Sequence, residues 1–170
     1  ALSAPGCCME KVAVDDVEND TQPAAVRRRL TESLGLSGFA LNYYELEPGD
    51  SFAFAYHEHE LQEEVFYVIS GTATFDTEAG DVVVGPGEAV RFGPGEFQRG
   101  WNRGEERVVA LALGAPLAYG DGTMLRSCEH CGEMTDQRLE REEEAVVAFC
   151  ERCDIETGRW HDGSMDGEVP

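Results

Sequence analysis

The chain has 170 residues, 42% hydrophobic and 9% aromatic, enough for one domain with its own core plus a small appendage. Its 34 acidic residues against 13 basic ones give a net charge of −21, and all the basic residues except Lys11 are arginine. Such a surface repels nucleic acid and anionic membranes, and its lysine-poor acidity predicts adaptation to high salt, where self-repulsion is screened.

No run reaches the apolar length of a membrane span, and residues 1–8 lack the basic start and apolar stretch of a signal peptide, so a cytoplasmic protein is expected. Residues 1–8 read as an extension ahead of a natural start at Met9, and Cys7 and Cys8 receive no functional weight. Thr21-Gln22-Pro23 reads as a helix entry, with Thr21 as cap and Pro23 in the first turn. It predicts a short helix running to about Leu34 and stopped by Gly35. Arg27-Arg28-Arg29 would form a solvated face of that helix, paired with the acidic surroundings; an anion patch is the other reading. Residues 1–38 are thus an N-terminal extension with a short helix.

Between residues 39 and 116 the pattern becomes all-β. Strands are predicted at Phe39–Leu46, Phe52–Tyr56, Val65–Ile69, Thr72–Phe75, Val82–Val84, Ala89–Phe92 and Val108–Leu113, separated by Gly-bearing turns. Their regular spacing predicts a barrel or sandwich. Gly85-Pro86-Gly87-Glu88 recurs as Gly93-Pro94-Gly95-Glu96, so Ala89–Phe92 should traverse the fold between two rims.

The chemistry centres on His57-Glu58-His59 and Glu64. Alternation along a strand points His57 and His59 the same way, and Glu64 arrives from the next strand. Two imidazoles and a carboxylate can hold a divalent metal facially and leave positions open for a small molecule. The same alternation puts Ala53 and Ala55 beside His57, leaving room for a ligand. It puts Phe52, Phe54 and Tyr56 on the other face, to be covered by the N-terminal segment or a second subunit. Phe97 and Trp101 either line the mouth or pack in the core, and Gln62 and Glu63 read as a solvated turn, the cavity rim being the other reading.

Residues 117–170 carry Cys128-x-x-Cys131 and Cys150-x-x-Cys153, the spacing of two metal knuckles facing each other across a small hairpin. Zinc is the first choice for this four-sulfur site and iron the second; His130 is a passenger inside the first knuckle. Glu140–Glu144 reads as a solvated turn or short helix before a strand at Ala145–Phe149. Glu129, Glu133, Asp136, Glu151, Asp154 and Glu156 would oppose a phosphate backbone, so this zinc-ribbon-like segment suits protein contacts or intramolecular docking rather than nucleic acid.

Gly49, His57-x-His59, Glu64 and Gly71 resemble the first cupin motif, with seven residues between Gly49 and His57 where the family has five. Gly87, Gly93-Pro94-Gly95, Gln98 and Asn102 resemble the second, with Gly93 in place of its proline and Gln98 in place of its histidine. The resemblance implies a small double-stranded β-barrel over residues 39–116, often dimeric, so a homodimer is expected. It implies a divalent metal, iron, manganese or zinc, on His57, His59, Glu64 and Gln98. An amide oxygen is a weaker and harder ligand than imidazole, which lowers affinity for nickel, copper or zinc and biases the site toward iron or manganese. Two functions follow from these readings. One is a metal-dependent oxygenase or isomerase of a small molecule, with Glu64 as ligand rather than base. The alternative is a non-catalytic small-molecule-binding or sensing cupin whose zinc ribbon is structural or a protein contact.

Overall fold

Short β-branched and aromatic runs cut by glycine turns give an almost entirely β structure. The computed structural model describes residues 9–20 and 23–161. A 3-10 turn at Val14–Asp16 precedes β1 (Val26–Arg29), the one-turn helix α1 (Leu30–Ser33), β2 (Ala40–Leu46), β3 (Tyr56–His57) and β4 (Glu63–Ser70). Then come β5 (Ala73–Thr77), β6 (Val82–Val84), β7 (Ala89–Phe92), β8 (Gln98–Trp101) and β9 (Val108–Ala115). The C-terminal part holds β10 (Met124–Cys128), β11 (Glu133–Arg141), β12 (Ala145–Cys150) and β13 (Glu156–His161).

Two sheets result, one ordered β1-β2-β9-β4-β7 and the other β13-β12-β11-β10-β3-β8-β5-β6. No ladder joins them among the described strands, so the expected closed barrel is seen as two facing sheets. The core lies between them. Tyr44, Leu46, Phe66, Val68, Phe92, Val108 and Ala110 from the first sheet meet Ala73, Phe75 and Val84 from the second. Phe52 stacks on Phe75 at 5.7 Å and tilts against Phe66 at 5.1 Å, joining the two layers. Burying each such ring contributes about 2–3 kcal/mol.

The two Gly-Pro-Gly-Glu turns have the same build. Gly87 and Gly95 take φ of +80° and +78°, the conformation required after proline in a type II turn. In each, the closing glutamate turns its carboxylate back onto the first glycine N–H, Glu88 onto Gly85 at 2.7 Å and Glu96 onto Gly93. The segment between them is β7, as expected, and it pairs with β4.

Three sequence expectations need correction. The predicted helix to Leu34 gives way to strand at Val26–Arg29: Arg27 pairs opposite Tyr44 and Arg29 opposite Asn42, and only Leu30–Ser33 is helical. The ladder with β2 outweighs the weak helix propensity of a four-residue stretch. The proposed cap, Thr21, lies outside the described residues. The predicted strand Phe52–Tyr56 shortens to Tyr56–His57, and its aromatics disperse: Phe52 enters the core, Phe54 meets Trp160 edge-on at 4.7 Å, and Tyr56 stacks on Phe97 at 5.3 Å. The C-terminal segment therefore covers Phe54, the role expected of the N-terminal segment or a second subunit. Finally, of the two readings of Glu140–Glu144 the solvated turn holds for residues 142–144, closed by Glu142 N on the Ala145 carbonyl, while Glu140 and Arg141 finish β11.

The C-terminal strands continue the second sheet through β10, where Met124 pairs opposite His57 and Leu125 opposite Tyr56. Trp160, 2% exposed, anchors them, with the Arg126 guanidinium 4.9 Å over its ring. Among the described residues no helix is long and apolar enough to cross a membrane.

Candidate metal centres

β3 ends at His57, and the chain leaves it extended enough to present His59 on the same side. Glu64 comes from the start of β4 and Gln98 from β8, directly opposite His57 in the ladder. The Nε2 atoms of His57 and His59 lie 3.7 and 3.5 Å from Glu64 Oε2, and all three ligand atoms fall within 4.8 Å of one another. The structure thus brings the predicted triad together. His57 Nδ1 donates to the Ala55 carbonyl at 3.0 Å, which fixes the ring and turns the Nε2 lone pair inward. Burial alone would push the Glu64 carboxyl up, but hydrogen bonds and charge from His57 and His59 outweigh it and hold it at about 2. The carboxylate is ionised and ready to bind a cation.

Gln98 packs against the triad through its amide nitrogen. Its Nε2 donates to Glu64 Oε2 at 2.9 Å and sits 3.3 Å from His57 Nε2, while its buried Oε1 has no hydrogen-bond partner. Amide oxygen and nitrogen exchange by a half-turn of the side chain, and that turn would aim an oxygen at the centre of the triad. Two imidazoles, a carboxylate and an orphaned amide oxygen are a donor set that fits a divalent ion.

A cavity of about 220 Å³ opens beside the triad, walled by Phe52, Ala53, Ala55, Phe66 and Met124. A second, of about 380 Å³, lies over Asn42, Ala112 and Gly114. Arg27, Tyr44 and Glu64 border both. Ala53 and Ala55 do line the ligand side, but Phe52 and Phe54 border the same cavity, because residues 52–55 lie outside β3 and do not alternate as a strand. Tyr44 was not singled out by the sequence, where it reads as one more strand aromatic. Burial raises its hydroxyl above the ordinary value, so it is a neutral donor, and it has no hydrogen-bond partner among the described residues. Gln62 is 6% exposed rather than in a solvated turn; it borders the larger cavity, in keeping with the rim reading, and donates to the Pro116 carbonyl at 2.7 Å. Phe97 packs on Tyr56, and the Trp101 indole donates to Asp76 at 2.9 Å.

The four C-terminal cysteines form the second cluster, their sulfurs all within 4.8 Å of one another. Cys128 and Cys153 are 3.5 Å apart and Cys131 and Cys150 3.9 Å. A tetrahedron with metal–sulfur bonds of 2.3 Å has edges of about 3.8 Å, so these spacings suit a tetrahedral ion and are far longer than a disulfide. Both knuckles close alike: Gly132 and Asp154, each just after the second cysteine, take φ of +71° and +63° and donate N–H to the first cysteine's carbonyl. Asp154 takes the conformation of Gly132 without glycine's freedom, which aspartate tolerates better than most residues. A hydrogen bond from Thr135 pulls the Cys150 thiol down to about 6, whereas burial pushes Cys131 up to about 12. His130 is exposed and outside the cluster.

Residues 42–114 match the family described as Cupin domain. No curated protein matches the chain. Among solved structures, it is similar to a sugar phosphate isomerase of the cupin superfamily from Silicibacter pomeroyi, at 22% identity over 91% of this chain and 94% of that one, with a TM-score of 0.57. It is similar to the polyketide cyclase RemF from Streptomyces resistomycificus at 25% identity, covering 72% and 89% of the two chains, with a TM-score of 0.59. It also resembles an uncharacterized protein with a double-stranded β-helix domain from Klebsiella pneumoniae, at 18% identity over 73% and 98%, with a TM-score of 0.57.

Proposed function

We propose, from the premise that residues 42–114 make this chain a member of the cupin superfamily, that it is a metal-dependent isomerase of a small hydroxylated carbonyl compound. The observation that carries the proposal is the convergence of His57, His59, Glu64 and Gln98 on one point beside an open cavity. A divalent ion held there would act as a Lewis acid on substrate oxygens. The protein's own groups supply the rest. Ala55 locks the His57 ring, Glu64 remains an anionic ligand, Tyr44 offers a neutral hydroxyl to a substrate oxygen, and Phe52 and Phe66 keep water from the inner wall. Isomerisation is preferred to oxygenation because the similarity to a sugar phosphate isomerase extends over 91% of the chain, a share reached only with most of residues 117–170. The four cysteines are proposed to hold zinc or iron as a structural element.

The test is metal analysis of untagged protein, followed by incubation of the manganese-, iron- and zinc-loaded forms with sugar phosphates in deuterated water. The expected result is one metal lost in Cys128→Ser, a second lost in His57→Ala, and His57-dependent deuterium incorporation next to the substrate carbonyl. Metal content insensitive to His57→Ala would overturn the reading.

A further inference from the structure

The inner face of the first sheet is hollow for a reason written in its register. Arg29, Asn42, Ala112 and Phe66 lie across one row, and Ala40, Gly114 and Glu64 across the next. Ala40, Ala112 and Gly114 have almost no side chain, so this part of the sheet is left uncovered and becomes the larger cavity. Polar groups stand at its two ends. Glu64, the one member of the metal cluster carried by this sheet, occupies β4, while Arg27 and Arg29 reach in from β1, three strand spacings or about 14 Å of backbone away.

Those two arginines are incompletely paired. Asp20 Oδ2 alone bridges them, 3.1 Å from Arg27 Nη1 and 2.7 Å from Arg29 Nε, with Glu32 3.9 Å from Arg29. The Arg27 Nε is buried and has no hydrogen-bond partner among the described residues. A guanidinium offers five donors in a planar fork suited to oxyanions, so Arg27 has unused capacity beside the hollow. Asn42, between the arginines and the small residues, also faces the cavity with its side-chain amide unpartnered among the described residues. In a chain of net charge −21, two arginines over one cavity are the local cations an anionic ligand would need to overcome the repelling field.

We propose that Arg27 and Arg29, with Asn42, form the seat for the oxyanion group, phosphate or carboxylate, of a small organic substrate whose other end reaches the His57, His59, Glu64 cluster. The proposal rests on the metal-site reading above for the reacting end only. Tyr44, which borders both cavities, lies midway along such a molecule and contacts it near the metal.

The test is calorimetric binding of glucose 6-phosphate, gluconate and glucose to the manganese-loaded full chain, its metal content measured in parallel, with Arg27→Gln, Arg29→Gln and Arg27→Lys variants. At least one anion should bind ten-fold or more tightly than glucose. Its affinity should fall ten-fold or more in either glutamine variant, with partial rescue by lysine and metal content unchanged. Preference for glucose 6-phosphate would identify a phosphate seat and preference for gluconate a carboxylate seat. Binding of the anions no tighter than glucose, or affinities unmoved in both glutamine variants, would overturn the proposal. Loss of the His57-dependent metal with anion binding retained would instead overturn only the metal-site reading.

Discussion

Gln98 is 2% exposed, bonded through nitrogen to Glu64 and left with a buried, unpartnered oxygen. A buried acceptor without a partner costs about 1–3 kcal/mol, which a half-turn onto a cation would recover. Gln98→His should strengthen metal binding by replacing a weak amide ligand with imidazole, and Gln98→Leu should weaken it by about ten-fold; titration with manganese measures both. Unchanged affinity in both variants would remove Gln98 from the ligand set. Asp50 makes a different kind of residue-level prediction. Its Oδ2 accepts N–H from Ala25 at 2.9 Å and Glu47 at 2.8 Å, pinning the N-terminal segment, and it is 1% exposed. Burial pushes its carboxyl from 3.8 up to about 6 despite those donors, with Glu47 adding to the rise and Arg107 opposing it. The folded state therefore holds this proton more tightly than the unfolded chain, so its contribution is full below pH 4 and is lost as pH rises through 6. Asp50→Asn cannot ionise. Its melting temperature relative to the parent should climb between pH 4 and 6 and level off above, a span of at most about 3 kcal/mol. A difference independent of pH would show that Asp50 stays ionised throughout. The sequence pointed to His57, His59, Glu64 and Gln98 because ligand chemistry depends on residue type and short spacing. It could not point to Asp50 or Tyr44, whose character comes wholly from what packs around them.

The strand that carries His57 is only two residues long, and much of its support comes from the C-terminal part. Glu58 N donates to Thr123 O at 3.2 Å, Glu60 N to Asp121 O at 2.9 Å and Leu61 N to Tyr119 O at 3.0 Å, so residues 119–124 run along the segment bearing both histidines. The Glu58 carboxylate returns to Thr123 N at 2.9 Å, and β10 then leads straight to Cys128. Loss of the four-cysteine metal should therefore propagate to the histidines. Cys128→Ser is expected to weaken manganese binding at the triad by about ten-fold and to speed amide exchange over residues 57–61. Loss of the cysteine-bound metal with both quantities unchanged would make the hairpin an independent cap. Sequence reading found β2, β4, β5, β6, β7, β9 and β12 because they are apolar or β-branched runs, most of them closed by glycine turns. It missed β8, β10, β11 and β13, whose residues, such as Gln98-Arg99-Gly100-Trp101, show neither alternation nor a run; these strands are specified by their partners. It overextended the strand at Phe52–Tyr56, where three alternating aromatics mimic one face of a sheet yet each packs against a different neighbour, Phe75, Trp160 and Phe97.

Taken over the entire molecule, the acid excess is organised around shared arginines. Arg103 reaches Asp76 at 2.5 Å and Asp81 at 2.9 Å, Arg107 contacts Glu45 and Glu47, and Arg159 reaches Glu142 at 2.6 Å and Glu156 at 2.8 Å. Each arginine neutralises one charge while holding two carboxylates together, so a surplus of 21 negative charges remains on the fold. Salt then acts in two directions. It weakens these surface pairs, each worth about 0–1 kcal/mol, and it screens the long-range repulsion among all the acids. At 0.1 M the screening length is about 10 Å, so carboxylates on one face still repel; at 1 M it is about 3 Å and only direct pairs survive. The second effect should dominate because repulsion sums over many distant pairs and the attraction over few. The melting temperature is expected to rise between 0.05 and 2 M potassium chloride, by about 3 °C for each kcal/mol of repulsion removed. Most of the rise should come below 0.5 M, where the screening length shortens fastest. Sucrose at matched osmolality separates the causes: it strengthens burial by exclusion from the surface but screens nothing. A rise in potassium chloride that sucrose does not reproduce assigns the stabilisation to charge, and a flat or falling curve would mean that the shared arginines outweigh the excess acids and that the protein is not adapted to high salt.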